Sequence, residues 1–243
     1  MTMNEEKKIN MPIIHHLVIY LISFFGLSVF YTLNYTLLNL IPSFKNLSEP
    51  TSMMIEYCLA YGLTAIALII YLWNLCIKDL FAQFKVLKNI GMGIIFGIAL
   101  IIITDIWGVI ANIICQKNGL VYQPNHNQLT LNQGMKEQPI LALIMSVIFA
   151  PFTEELGYRL GIFGGIKKYS RVAAYIVCAV IFGLIHFDFM ASGDAMLIEL
   201  INLPAYVSAG LLLCFYYDYT GSLATSITAH AFNNLFVFVV SLL

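Results

Sequence analysis

The amino-acid sequence predicts an all-α membrane protein, a polytopic bundle of about seven transmembrane helices with an eighth possible. Of its 243 residues, 60% are apolar and only 10% are charged, whereas a soluble domain carries about 25% charged residues. The mean hydropathy is +0.85. Such a chain has too little polar surface to face water on all sides, so a lipid bilayer is its expected surrounding. The net charge of -1 argues against nucleic acid as a partner, because that partner needs a basic face.

Seven stretches are long and apolar enough to cross a bilayer core, which takes about 20 helical residues. In chain order they are 16–41, 53–77, 90–115, 140–163, 172–187, 196–217 and 222–243. The fifth is short unless its helix continues past Asp188. An eighth span results if the first stretch, or the segment 78–88, is divided differently.

Basic residues indicate the orientation of the helices. Under this count one side of the membrane carries Lys7, Lys8, Lys78, Lys85, Lys88, Lys167, Lys168 and Arg171. The other side carries only Lys45, Lys117 and Lys136. Because cytoplasmic loops are enriched in lysine and arginine, a multi-pass protein of the cell membrane with a cytoplasmic N-terminus is predicted.

Two segments between the spans have distinct characters. The segment 78–88 is amphipathic and is predicted to lie along the cytoplasmic interface. The segment 116–138 is polar, rich in Asn and Gln, and is predicted to be an external loop. Because no repeat or second domain is visible, residues 1–243 are interpreted as one membrane domain.

Three ionisable residues stand within the fourth span, where each is costly and therefore needs a reason. Glu155 and Arg159 are four residues apart, so they share a helix face and can form an ion pair. Glu154 points about 100° away from that face. A carboxylate in a dry site beside another carboxylate is a better proton acceptor, as a general base requires. A structural ion pair that pins the bundle would explain Glu155 and Arg159, but not the second adjacent glutamate.

The fifth and seventh spans carry further polar pairs at helical spacing. Phe182 and His186 share a face, as do His230 and Asn234, and the last two can both donate hydrogen bonds. Asn233 is expected to turn away. The alternatives are a hydrogen-bonded packing role for the histidine and interhelical bonding for the asparagine.

Their depth in the bilayer joins these residues into one predicted site. Glu154, His186, His230 and Asn234 all lie roughly 18–24 Å from the cytoplasmic ends of their helices, at about 1.5 Å per residue. Independent structural accidents on three helices would not be expected to agree in depth.

Other residues within the spans are given structural interpretations. Gly157, Gly161 and Gly165 make overlapping GxxxG spacings and predict close approach of another helix. Asp105 and Glu199 stand singly and are expected to line a water path or to pair across helices.

The polar residues, taken in order, resemble the motifs of the CPBP intramembrane proteases, also called the Abi family. The three motifs are Glu154-Glu155-x-x-x-Arg159, Phe182-x-x-x-His186 and His230-x-x-x-Asn234. Each is weak alone, but all three occur in order, with Gly221-Ser222-Leu223 before the last. The resemblance covers roughly Pro151 to Leu243, and residues 140–243 are interpreted as the catalytic core. That family includes CAAX-processing endopeptidases and bacterial proteins tied to bacteriocin immunity and peptide maturation.

The resemblance implies hydrolysis of a peptide bond in or near the bilayer, in a peptide or a membrane-anchored protein. It assigns Glu154 as the base that activates water and His186 as a group that holds and polarises that water. It assigns His230 and Asn234 as donors to the oxyanion. The supporting residues are Glu155, Arg159 and Phe182.

Zinc is the alternative to a metal-free mechanism. Glu154, His186 and His230 are the residues that would bind zinc in an open catalytic site. However, the sequence lacks the HExxH motif, and Arg159 beside the glutamates disfavours a cation. A mechanism without a cofactor is therefore favoured.

Two further functions stay open at the level of the sequence. One is a non-enzymatic scaffold or bacteriocin-immunity protein, which would need the fold but not the chemistry. The other is a proton-coupled transporter, since carboxylates and histidines within membranes also serve as relays. No inverted repeat supports the transporter.

Overall fold

The computed structural model describes residue 9 and residues 11–243. Within these residues the chain forms nine helices and no strand. They are α1 (Ile13–Leu38), α2 (Glu49–Leu72), α3 (Ile77–Phe84), α4 (Leu87–Lys117), α5 (His126–Glu137), α6 (Pro139–Lys167), α7 (Arg171–Leu184), α8 (Asp194–Thr220) and α9 (Leu223–Leu242). The predicted all-α class is confirmed.

Six of these helices are long and apolar enough to cross a membrane, namely α1, α2, α4, α6, α8 and α9. Helix α7 is apolar but has only 14 residues, about 21 Å at the rise of an α-helix. Each of the seven predicted stretches corresponds to one of these seven helices. The multi-pass membrane bundle is confirmed, with six long helices and one short one in the described part of the chain.

The fifth predicted stretch, 172–187, ends three residues beyond the helix that it predicts. Helix α7 ends at Leu184, where the backbone tightens: the amide of His186 donates to the carbonyl of Gly183, and that of Phe187 to Leu184. The interpretation that the helix continues past Asp188 is therefore wrong. His186 lies in the turn directly after α7 rather than on the helix.

The segment 116–138 is also not the loop that its polarity predicted. It contains α5, whose N-terminus is capped by the Asn125 side chain accepting from the amide of Gln128. This helix has no apolar periodicity by which it could be predicted. A polar helix of this kind depends on its cap and on packing against the rest of the bundle.

Helix α3 forms within the segment predicted to be amphipathic, and it buries Ile77, Leu80 and Gln83. The Gln83 side-chain oxygen accepts hydrogen bonds from the backbone amides of Leu223 and Ala224, at 2.9 and 3.3 Å. These amides open α9 and have no partner within that helix. Helix α3 thus fixes the start of the helix that carries His230.

The glycine spacing of α6 is confirmed as a site of close helix approach. A Cβ atom on Gly157 would lie 2.5 Å from the Cβ of Ser23, and one on Gly161 would lie 3.1 Å from the backbone nitrogen of Tyr20. Both contacts are made by α1, so no side chain larger than hydrogen fits between the two helices.

Helix α6 is not a regular α-helix. It contains two π-helical segments, Ile144–Phe149 and Leu156–Phe163, with a short α-helical segment, Ala150–Glu155, between them. π-Helical turns are rare and are frequent at functional sites. Glu154 and Glu155 lie at the junction of this segment with the second π-helical turn.

Candidate active site

Glu155 is the most completely paired of the predicted site residues. The side chains of Glu155 and Arg159 are both fully buried, and Glu155 Oε2 lies 3.1 Å from Arg159 Nε. Ser226 Oγ donates a hydrogen bond to Glu155 Oε2. Nδ1 of His230 lies 2.9 Å from Glu155 Oε1. The ion pair predicted within α6 is therefore present, and it also binds two residues of α9.

Arg159 and Phe182 pack against each other close to the two histidines. The Arg159 guanidinium lies 4.7 Å from the centre of the Phe182 ring, within the range of a cation–π contact. The ring centre of Phe182 is 5.0 Å from that of His186 and 5.9 Å from that of His230. The Phe182 ring thus contacts the buried cation and lies close to both imidazoles.

Glu154 has a different environment from its neighbour. Its Oε1 accepts a hydrogen bond of 3.0 Å from the Tyr61 hydroxyl of α2. Its Oε2 is buried and has no hydrogen-bond partner among the described residues. That oxygen lies 3.9 Å from Nε2 of His230. One carboxylate oxygen is therefore held, while the other is presented to the histidine.

The hydrogen bonds of the two histidines determine which nitrogen faces the site. Nδ1 of His186 lies 2.8 Å from the carbonyl oxygen of Phe182, and a carbonyl can only accept. Nδ1 of His230 faces the Glu155 carboxylate, which is also an acceptor. Each Nδ1 therefore carries the proton in the neutral form, and each Nε2 is left with a lone pair.

His186 is fixed by residues that the sequence did not single out. The Asn125 side chain donates to the His186 carbonyl at 2.7 Å, and the Tyr206 hydroxyl donates to Asn125 at 2.9 Å. The Tyr206 ring also stacks on the imidazole, with 4.6 Å between ring centres. Asn125 is 61 positions from His186 in the chain, so no local pattern could have indicated this contact.

Asn234 and Asn233 differ from the sequence prediction. The Asn234 amide, the predicted oxyanion donor, donates to the Ser146 carbonyl at 2.8 Å. The Asn233 amide donates to Asn234 Oδ1 at 3.2 Å. Both asparagines line the same cavity, so the prediction that Asn233 turns away is wrong. The two asparagines are neighbours on the regular helix α9, and the cavity is wide enough to be lined by both.

A single cavity of about 980 Å³ joins these groups. Glu154, His186, His230 and Asn234 all line it, so the structure brings all four predicted residues together. Its volume is at the upper end of the range of ligand pockets. The cavity continues past the histidines to α4, the loop before α5, and α5 itself. It is large enough for an extended ligand rather than a single small molecule.

The placement of possible metal ligands bears on the zinc alternative. Among the residues that the structure describes, no group of three or more His, Cys, Asp or Glu side chains is placed to hold a metal ion. Glu155 is held by Arg159 and Ser226, and Nδ1 of His230 by Glu155. These contacts do not involve Glu154 Oε2 or the Nε2 atoms of the two histidines, so the metal-free mechanism and the zinc alternative both stay predictions.

Residues 136–236 match the family model described as type II CAAX prenyl endopeptidase Rce1-like. The chain is 30% identical over 150 residues to UPF0177 protein YvdC of Lactococcus lactis subsp. lactis (strain IL1403), over 61% of this chain and 52% of that protein. It is 32% identical over 103 residues to "Putative membrane peptidase YdiL" of Bacillus subtilis (strain 168), over 42% of this chain and 38% of that protein. The chain thus spans about half the length, or less, of these relatives. No solved structure matches.

These comparisons confirm the resemblance to the intramembrane protease family that the motifs predicted. The matched segment contains the whole predicted site, from Glu154 to Asn234. The supporting residues Glu155, Arg159 and Phe182 lie inside it as well.

Proposed function

We propose, from the match of residues 136–236 to the Rce1-like endopeptidase family, that this protein is an intramembrane endopeptidase. In this proposal a water molecule activated by Glu154 hydrolyses a peptide bond. The observation that carries the proposal is the buried Glu154 Oε2, which has no partner among the described residues and lies 3.9 Å from His230 Nε2 in a large cavity.

Glu154 supplies the base. It removes one proton from water as the water oxygen bonds to the carbonyl carbon of the substrate, and the carbonyl electrons move to form an oxyanion. Collapse of this intermediate breaks the carbon–nitrogen bond, and Glu154 returns the proton to the leaving amine. The Tyr61 hydroxyl keeps the carboxylate oriented throughout.

The two histidines take different parts in this step. His186 Nε2 carries a lone pair, so it accepts a hydrogen bond from the water and holds it beside Glu154. His230 donates to the oxyanion through Nε2. Its Nδ1 proton is already engaged in the hydrogen bond to Glu155, so a second proton on Nε2 is needed and the ring is doubly protonated in this step. The Glu155 carboxylate stabilises that imidazolium, and Arg159 balances the charge of Glu155.

Asn234 is the second proposed oxyanion donor. Its amide is bonded to the Ser146 carbonyl, so it donates to the oxyanion only after turning from that carbonyl. Loss of Asn234 should therefore cost less activity than loss of His230.

The substrate is proposed to be a peptide or a membrane-anchored protein, of the CAAX type or a precursor in peptide or bacteriocin maturation. Mass spectrometry of peptides cut by the purified protein tests this proposal. Cleavage by the wild type should be lost in Glu154→Ala and sharply reduced in His186→Ala and His230→Ala, each checked for folding. Unchanged cleavage in all three folded variants would refute the assignment. If a cellular phenotype that depends on this protein also persisted in these variants, a scaffold or immunity role would replace the endopeptidase assignment.

The metal-free mechanism has a separate test. Cleavage should survive prolonged treatment with a strong chelator followed by desalting. Loss of cleavage that added zinc restores would establish the zinc-dependent alternative.

A further inference from the structure

The wall of the cavity contains a carboxylate, Asp105, that is exposed and has no ion-pair partner among the described residues. Asp105 lies within α4, 12 residues before the helix ends at Lys117, or about 18 Å from that end. It lines the cavity. Among the described residues it takes part in no salt bridge, and its side chain in no hydrogen bond. A carboxylate at such a depth is costly and is found where it pairs or serves a function.

Apart from two histidines, the ionisable side chains of the cavity lining that are charged at neutral pH are acidic. Its carboxylates are Asp105 and Glu154, and no lysine or arginine of the described chain lines it. The lining side chains that can take up a positive charge are His186 and His230, and both belong to the proposed reaction centre. A cation bound at Asp105 within the cavity would therefore come from outside the described chain.

The distance between Asp105 and the reaction centre follows from the packing of α4 on α9. A Cβ atom on Gly93 would lie 2.5 Å from Thr228 Cβ, and one on Gly97 would lie 2.9 Å from Phe232 Cβ. Four residues along α4 thus correspond to four along α9, so the helices are parallel. In this register Asp105 is level with Val240, about 10 residues beyond His230, or roughly 15 Å along the bundle.

The side chains between these levels suit a peptide. Val240 and Ser241 of α9 line the cavity at the level of Asp105, and Tyr122, Gln128 and Asn132 also line it. Their amide and hydroxyl groups can donate to and accept from a peptide backbone. An extended peptide covers 12–15 Å in about four residues. A lysine side chain spans part of that distance itself, so fewer backbone residues are needed.

We propose that Asp105 recognises a positively charged residue, lysine or arginine, about two to four positions from the scissile bond of the substrate. This inference rests on the proposed endopeptidase function and narrows its substrate class to basic peptides. The Asp105 carboxylate is a specificity residue: it selects the substrate and does not take part in bond cleavage.

The test uses quenched fluorescent peptides built on a sequence that the purified protein cuts. Lysine, glutamine or glutamate is placed in turn at each position on either side of the scissile bond. Wild-type protein should prefer lysine over glutamine at one position by about tenfold in kcat/KM, which corresponds to ~1.4 kcal/mol. Asp105→Asn should abolish that preference and cut the glutamine peptide at the wild-type rate. Asp105→Lys should prefer glutamate.

Asp194→Asn is the matched control, since Asp194 is exposed at the start of α8 and does not line the cavity. It should keep the lysine preference. A wild-type protein without preference at any position, or a preference that survives in Asp105→Asn, would overturn the proposal.

A binding measurement separates this proposal from the proposed reaction. Fluorescence anisotropy of a labelled lysine peptide on Glu154→Gln protein reads recognition without cleavage. Binding should weaken about tenfold when Asp105→Asn is added. If wild-type and Glu154→Ala proteins both fail to cut while this binding difference persists, the catalytic proposal fails and the recognition site stands. If binding is the same with and without Asp105, the recognition site fails whatever the outcome for cleavage.

Discussion

Glu154 and Glu155 are adjacent in the sequence, but their carboxylates meet different partners. Glu155 faces Arg159, Ser226 and Nδ1 of His230 and is fully buried. Glu154 is held at one oxygen by Tyr61, and its other oxygen faces the cavity. Two identical side chains therefore differ in what they can do, because one is saturated with donors and the other is not.

The Tyr61 hydrogen bond gives a prediction for catalysis. Tyr61→Phe should lower kcat/KM by about tenfold, because a hydrogen bond to a charged acceptor contributes about 1.5–3 kcal/mol and here orients the base. The control is Tyr57→Phe, a tyrosine that lines the same cavity without a hydrogen bond to Glu154. Steady-state kinetics on a quenched peptide measures both. Equal rates in the two variants would show that Tyr61 does not orient Glu154.

The buried ion pair gives a prediction for stability. Arg159→Met should lower the free energy of unfolding by about 3–5 kcal/mol, since it leaves the Glu155 charge buried with no cation beside it. The double variant Glu155→Gln, Arg159→Met should recover most of that loss. Equilibrium unfolding in mixed micelles measures all three proteins.

Arg171 provides the matched control for this prediction. It pairs with Asp218 at 2.7 Å, but its side chain is 67% exposed, so Arg171→Met should cost much less stability than Arg159→Met. A loss of similar size for Arg159 and Arg171 would mean that burial of the pair does not matter.

At the scale of the helices, the site depends on how α6 is built and packed. Its glycines allow α1 to approach, and its π-helical turns flank the segment that carries the two glutamates. Both α4 and α9 line the cavity, and Gln83 of α3 holds the start of α9. The geometry of the site therefore depends on how α6 and α9 pack against their neighbouring helices.

The close contact of α6 with α1 can be tested by adding one methyl group. Gly157→Ala should destabilise the protein by about 1–3 kcal/mol, because its Cβ would lie 2.5 Å from Ser23 Cβ. Gly91→Ala is the control, since nothing lies within 4 Å of a Cβ at that position. Thermal unfolding in detergent measures both, and a destabilised Gly91→Ala with an unaffected Gly157→Ala would contradict this packing.

For the whole molecule, local composition predicted the helices better than it predicted their contacts. Apolar runs mark the membrane-crossing helices because the bilayer imposes length and composition on each helix separately. The motif residues were found because helical spacing and a common depth joined them. Helix α5, Tyr61 and Asn125 were missed, since they depend on a polar cap and on contacts 93 and 61 positions apart in the chain.

The orientation in the membrane stays a prediction, based on the excess of basic residues on one side. Lys7 and Lys8, which contribute to it, lie outside the described residues. A cysteine at Lys136 of α5 should react with a membrane-impermeant maleimide on intact cells, whereas a cysteine at the exposed Tyr169, between α6 and α7, should not. The reverse labelling pattern would place the N-terminus outside.

The central claim is that Glu154 activates the attacking water. Its most direct test is kcat/KM for peptide cleavage by Glu154→Gln, which keeps the size of the side chain and removes the base. Cleavage should fall by 10²- to 10⁴-fold, the usual contribution of a general base, while the thermal unfolding midpoint stays close to that of the wild type. A folded Glu154→Gln protein that cleaves at the wild-type rate would contradict the claim.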